Sequence, residues 1–379
     1  MRLQKREFRY VNGIGNLLLG VTCVAWVAAA AGPAPALASE WDNVVAAAKK
    51  EGKVVVAQGG GSGSEIRRLF SEGFHEKYPQ IDVDLTVAGG RSIAPRVLTE
   101  RRVGKYLWDV YMGGITTAAT ILLPAGVFDP MKPALLLPEV GDVNQWFGRE
   151  LEFADPQASS ILVFGGYVIP PFAYNTGLVK KSDIRSFEEL LEPKWRGKIV
   201  MNDPRQPGSG LASAIYWYTT PGLGKEFIRR FFTEQDVKLS RDYRQQMAWL
   251  ARGDYLLAIG HNNDIYKEFL KNGLPVGLFT ADDVKEGSYI NAAVAGLGLI
   301  NRAPHPNAAR VYLNWLLSKE TQTRWSKISG FWSRRLDVPS DHLDPATVPR
   351  KGKAYRTNYQ QDWVEKSSEV AKFVRSLVQ

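Results

Sequence analysis

Cysteine is almost missing from this 379-residue chain, in which Cys23 is the only one and lies among the first 38 residues. A single thiol allows no internal disulfide and no cysteine-built metal centre. Several catalytic signatures are missing too. Glu65 rather than a Walker lysine follows the glycine-rich residues 59–64, neither Ser62 nor Ser209 stands in a G-x-S-x-G elbow, and no H-E-x-x-H occurs. Beyond the N-terminal segment no apolar run is long enough to span a bilayer, and no internal repeat or low-complexity tract appears.

The N-terminus carries Arg2, Lys5, Arg6 and Arg9, then an apolar stretch through Leu17, Leu18, Leu19, Val21, Val24 and Trp26, and finally Ala36-Leu37-Ala38. That order is expected of a secretory signal peptide over residues 1–38, cleaved after Ala38, with a periplasmic destination for the remainder. Pro33 and Pro35 close the apolar run against a retained anchor, Arg2 and Arg6 are not adjacent as a twin-arginine signal requires, and Thr22 stands where a lipoprotein site needs a small residue before Cys23. Of the net charge of +9, the leader holds four basic residues against Glu7, which leaves +6 for the rest. The excess favours acidic small molecules over cationic ones, and because the basic residues are spread, nucleic acid is not an expected partner.

After the leader, Trp41, Val44, Val45 and Ala48 mark one face of a helix, and Val54-Val55-Val56-Ala57 reads as a buried strand. A Gly/Ser loop follows, then Ile66, Leu69, Phe70 and Phe74 at helical spacing, then alternation over residues 81–87. This is a βαβ unit. The grammar continues through a helix near residues 93–103, a strand at 108–112 and a strand-like segment at 161–168 ended by Pro170-Pro171. A second series opens at Lys198-Ile199-Val200-Met201, a strand at 255–260 leads into His261-Asn262-Asn263-Asp264, and an apolar stretch at 292–300 is expected to cross back. Pro306 and Asn307 then start a helix, and Trp332-Ser333-Arg334-Arg335 is expected on the surface of a lobe. The division is a first lobe over 39–168, a second over 169–290, a return to the first over 291–338, and a C-terminal helical segment over 339–379 packing on the lobes.

Trp41 with Ala47-Ala48-Lys49-Lys50-Glu51-Gly52-Lys53, Trp108-Asp109-Val110, Tyr174-Asn175-Thr176, residues 191–199, Asp203-Pro204 and His305-Pro306-Asn307-Ala308-Ala309 stand in one order over nearly the whole chain after the leader. In this the chain resembles the extracellular solute-binding proteins of ABC importers, the family that includes the periplasmic ferric-ion-binding proteins. The resemblance implies an α/β fold of the periplasmic-binding-protein type II: two lobes, each with a central mostly parallel sheet, joined by a two-strand hinge. It also implies a monomer that closes on a small-molecule ligand and docks on a membrane-embedded ABC permease, with no catalytic residue and no cofactor. Ferric receptors of the family use paired tyrosines, a histidine and a glutamate, hard donors that suit iron. Gly260-His261-Asn262-Asn263-Asp264 stands where the tyrosine pair is expected, Gly113-Gly114 where the glutamate is, and the first-strand loop has no histidine, so no metal site is expected.

The candidate ligand residues are Ser62, Gly63, Ser64, Arg91, Ser92, Gly114, Tyr174, Ser209, Gly210, Asn262, Asn263 and Asp264. Ser62, Gly63 and Ser64 offer an anion cradle at a helix N-terminus, with simple capping as the alternative for Ser64. Ser209 and Gly210 repeat that chemistry on the second lobe, expected to face the first across the cleft. Arg91 offers a bidentate guanidinium, and Tyr174 a stacking or hydrogen-bonding ring or else a packing role. The Asn262, Asn263 and Asp264 side chains are ligand contacts or turn and cap residues. The expected ligand is an anionic organic solute, with ferric binding in the same family and a secreted hydrolase as alternatives. A dinucleotide enzyme is disfavoured, because Ser64 takes the third glycine position of the Gly59-x-Gly61 pattern and Asp82 and Asp84 lie inside their strand.

Overall fold

The computed structural model describes residues 39–59, 63–88, 90–206 and 208–378; the leader and its cleavage site lie outside the described residues, and so does Ser62. Ser39 starts α1 (Glu40–Glu51) with a reciprocal capping box to Asp42, and Gly52, in the left-handed region at φ 68°, ends it. The chain then enters β1 (Lys53–Gly59), whose Val54 to Gly59 are all buried, as a strand covered on both faces requires. Next come α2 (Ser64–Lys77), β2 (Asp82–Ala88), α3 (Gly90–Arg102), β3 (Val110–Gly113), α4 (Ile115–Thr117) with a π turn to Leu122, β4 (Phe128–Asp129), α5 (Pro138–Gly141) and β5 (Leu162–Val163). The βαβ grammar read in the sequence is realised with β2 and β3 both parallel to β1.

The chain crosses on β6 (Gly165–Val168) and continues as β7 (Ala173–Asn175), β8 (Ile199–Asn202), α6 (Ser209–Thr219), α7 (Gly224–Glu234), β9 (Lys238–Ser240), α8 (Tyr243–Arg252), β10 (Leu257–Ile259), α9 (Asn263–Lys271) and β11 (Val276–Leu278). It returns through β12 (Tyr289–Asn291) to β13 (Gly296–Ile300), α10 (Pro306–Leu317), α11 (Lys319–Ser329), β14 (Trp332–Ser333), β15 (Arg356–Thr357) and α12 (Gln361–Leu377).

Two lobes result. The first holds the sheet β2-β1-β3-β13-β4, with β5 also on β13, and the second holds β11-β7-β10-β8-β9. In each sheet the parallel character belongs to three strands, β2-β1-β3 and β9-β8-β10; β13 and β7 then add antiparallel, because they enter from the crossing strands rather than through a helix. A four-stranded sheet, β14-β6-β12-β15, carries both crossings, with β6 and β12 antiparallel.

The apolar stretch at 292–300 is not one strand. Ala293 takes φ 49° and breaks it, so β12 makes the crossing and β13 joins the first lobe. The surface placement of Trp332 to Arg335 is also corrected. All four are buried, and Arg335 forms a two-point ion pair with Asp337 at 2.9 and 2.8 Å while donating to the Leu317 carbonyl. Trp363, Val370 and Val374 of α12 enter the second lobe's core beside Trp217 and Phe231.

Candidate ligand-binding site

A cavity of about 460 Å3 lies where the carboxyl ends of β1 and β3 and the start of α2 meet the second lobe, the location at which α/β sheets bind ligands. Gln58, Gly63, Ser64, Glu65, Ile66, Phe70 and Met112 line it from the first lobe's strands and α2, and Phe164 and Val294 from the crossings. Trp325, Ile328, Ser329 and Phe331 come from α11 and its end, and Asp264 from the second lobe. The wall is largely apolar and aromatic. Glu65 and Asp264, one from each lobe, are the only ionisable side chains among the described lining residues.

Of the residues singled out in the sequence, this cavity gathers Gly63, Ser64 and Asp264. Gly63 is the N-cap of α2, at φ −57° and ψ 162°, and no side chain caps the helix there. Ser64 is therefore not the cap. It is the first helical residue and exposed, so the α2 terminus presents its backbone N–H groups toward the cavity. Ser62 and the Arg91 side chain lie outside the described residues. Ser92 is exposed on the first turn of α3 and does not line the cavity. Gly114 is the N-cap of α4, and its carbonyl accepts a 3.0 Å hydrogen bond from the Tyr111 hydroxyl.

Ser209 and Gly210 are not among the residues that line this cavity. The Ser209 hydroxyl donates to the Gly260 carbonyl and lies 3.2 Å from the Tyr243 hydroxyl. Gly210 donates to Asn202 Oδ1 at 3.1 Å, and a Cβ on it would stand 1.9 Å from the Asn202 carbonyl oxygen. Both residues weld α6 to β8 and β10. Tyr174 takes the packing alternative. It pairs with Leu257 at the start of β10, whereas the cleft lies beyond that strand's end, and its ring packs 5.0 Å from Phe279.

Asn262 caps α9 through a 3.0 Å bond from the Ile265 N–H, which holds Asp264 on the first turn of that helix. Asn263 Oδ1 and His261 Nδ1 are buried without a hydrogen-bond partner. Burial lowers the His261 imidazole to about 4 and keeps it neutral near pH 7. Beside the cleft, Tyr167 of β6 stacks on Phe331 at 5.2 Å, and burial, with the charges of Asp264 and Tyr243, raises its hydroxyl to about 12.

Sequence reasoning missed Glu65 and the apolar wall. Trp325 lies on α11 and Phe331 just past its end, and only the fold brings them against α2. Among the described residues no group of three or more His, Cys, Asp or Glu side chains stands together as a metal site.

The two lobes, the crossing sheet and this interlobe cavity agree with what comparison with known proteins finds. The family model of bacterial extracellular solute-binding proteins matches residues 57–323. The chain belongs to that family. A Salmonella typhimurium periplasmic protein named for 2-aminoethylphosphonate binding is 27% identical over 208 residues, covering 53% of this chain and 61% of the relative's length. Iron uptake protein A1 of Synechocystis is 25% identical over 295 residues, 66% of this chain and 76% of that protein. Among solved structures, apo FutA2 of Synechocystis superposes with a TM-score of 0.64 at 17% identity, over 86% of this chain and 98% of that one. Iron-bound HitA of Pseudomonas aeruginosa gives 0.60 at 17% identity, over 86% and 99%. These likenesses make the fold that of the type II periplasmic binding proteins.

Proposed function

We propose that this family member is the periplasmic solute-binding component of an ABC importer and that it captures a small organic solute bearing both an anionic and a cationic group, of the aminoalkylphosphonate kind. The observation that carries the reading is the charge of the interlobe cavity. Its anion-attracting feature is the N-terminus of α2, where free N–H groups and the helix dipole favour a phosphonate or carboxylate. Among the described lining residues the two ionisable side chains, Glu65 and Asp264, are both acidic, so a purely anionic solute meets like charge from both lobes while an ammonium group meets two partners. The aromatic wall of Phe164, Trp325 and Phe331 adds a surface suited to a cation. The Salmonella relative's name supports the same class.

Capture then works by population shift. A solute that touches α2 on one lobe and Asp264 on the other binds the closed arrangement better than the open one, and closing on the crossing strands buries it. The protein supplies binding without a chemical step, and the closed form is what a permease would recognise.

Ferric binding is the second reading, favoured by the Synechocystis relative and by Tyr167, Tyr243 and Asp264 lying near one another. Burial holds the Tyr167 phenol in its protonated form, so iron would have to displace that proton before it gained a phenolate. A thermal-shift screen separates the readings. 2-Aminoethylphosphonate at 100 times its dissociation constant stabilises the protein by about 2.7 kcal/mol, whereas ferric citrate, succinate and putrescine leave the melting midpoint unchanged. A shift with ferric citrate or putrescine alone sinks the proposal.

A further inference from the structure

A second cavity, of about 600 Å3, shares no lining residue with the interlobe one. It lies on the other face of the crossing sheet. Tyr167 of β6 stands opposite Asn291 of β12, and its ring stacks on Phe331, which lines the interlobe cavity. Their strand neighbours Val168 and Ile290 point the opposite way, as alternation along a strand requires, and there Ile290 and Tyr355 line the second cavity.

The charge of this cavity is the reverse of the first. Arg149, Arg334, Lys351 and Lys353 line it against Glu150 and Glu152. Two of the cations are already matched: Lys353 bonds Asp282 at 2.6 Å, and Arg334 bonds Glu152 at 3.0 Å. The side chains of Arg149 and Lys351 make no hydrogen bond or ion pair with any described residue, and Arg149 is held at φ 58°, in the left-handed region that a side-chain-bearing residue rarely adopts. Beneath them Arg334 is only 3% exposed, and its Nε has no hydrogen-bond partner although the rest of the guanidinium reaches Glu152, Tyr359 and the Phe147 carbonyl. Arg149 and Lys351 against Glu150, none of them ion-paired among the described residues, leave this exposed rim with an excess of positive charge over the buried Arg334 guanidinium, an arrangement that a carboxylate or phosphate completes. Phe147, Leu336 and Tyr355 offer an apolar bed for the body of such a molecule.

We propose that this cavity is a second ligand site, which takes a small organic anion with an apolar or aromatic body and lies against the strands on which the lobes move. Phenyl phosphate is a probe with both parts. In calorimetric titration of the full chain after the leader, Arg149→Ala combined with Lys351→Ala is expected to weaken phenyl phosphate by about tenfold or more, while Glu65→Gln combined with Asp264→Asn leaves it within about twofold. Both substituted cations are exposed, so the fold is retained, and the melting midpoint without ligand confirms it. No phenyl phosphate binding by the wild type, or binding that survives Arg149→Ala with Lys351→Ala, overturns the proposal. Because 2-aminoethylphosphonate is titrated separately into the same variants, failure here is distinguishable from failure of the interlobe reading.

Discussion

At the scale of single residues, the parts of the sequence that carry the family likeness turn out to be joints. Asp109 is buried and accepts hydrogen bonds from the Val55 N–H at 2.6 Å, the His305 N–H at 2.8 Å and, at 2.9 Å, His305 Nδ1. Glu51 accepts from the Asn307 side chain and from the N–H groups of Asn307 and Ala308 at the start of α10. Residues 196 to 257 positions apart in the chain are thereby tied at one end of the first lobe, so Trp108-Asp109-Val110 and His305-Pro306-Asn307 are recognisable without naming a ligand. The second lobe has its own joint at Asp203. Burial alone would raise this carboxyl, but hydrogen bonds from Arg205 and Arg241 outweigh it and hold it down to about 2. The unfolded group titrates near 3.8. The stabilisation is therefore present above about pH 4 and disappears as the pH falls toward 2, at about 2 kcal/mol in total. Urea denaturation at about pH 5 and pH 2.5 should show that most of this loss is specific to the wild type and absent from Asp203→Asn; equal losses in both would refute the assignment.

At the scale of elements, the strand and helix order was legible because buried parallel strands read as apolar runs and α2 keeps helical spacing of Leu69, Phe70 and Phe74. The candidate site was legible only where a helix N-terminus is marked by Gly and Ser next to a strand end. Of the two helix starts it marks, α2 lines the cavity and α6 does not. Nothing in Pro207-Gly208-Ser209-Gly210 distinguishes a loop open to a ligand from one welded to its own sheet; the difference is the contact of Gly210 with Asn202, which only the fold supplies. Gly210→Ala puts a methyl 1.9 Å from the Asn202 carbonyl oxygen, and a backbone group cannot step aside as a flexible side chain does. The substitution is expected to cost about 3 kcal/mol or more of stability by denaturant titration, and a midpoint within error of wild type would mean that α6 is not held in this way. Tyr174 takes the packing role of its two alternatives for a related reason. A position just past a crossing segment suggests the hinge, but antiparallel pairing with β10 carries it to the far end of the second lobe's sheet.

At the scale of the whole molecule, the described residues make two α/β lobes and a crossing sheet with a cavity on each face, and the two cavities differ in sign. The composition points to a mildly basic protein with an acidic ligand, whereas the two ionisable groups among the described residues of the interlobe cavity are carboxylates. Net charge is a sum over the surface and says little about one concave site. The proposed solute keeps the anionic group expected from the sequence and adds a cationic one.

The most direct test is a calorimetric comparison of 2-aminoethylphosphonate with ethylphosphonate, which has the same anion and carbon chain without the amine. Wild-type protein is expected to bind the amino compound about tenfold tighter or more, and Glu65→Gln with Asp264→Asn is expected to abolish that difference. Equal affinity for the two compounds, or no binding of either, would contradict the account.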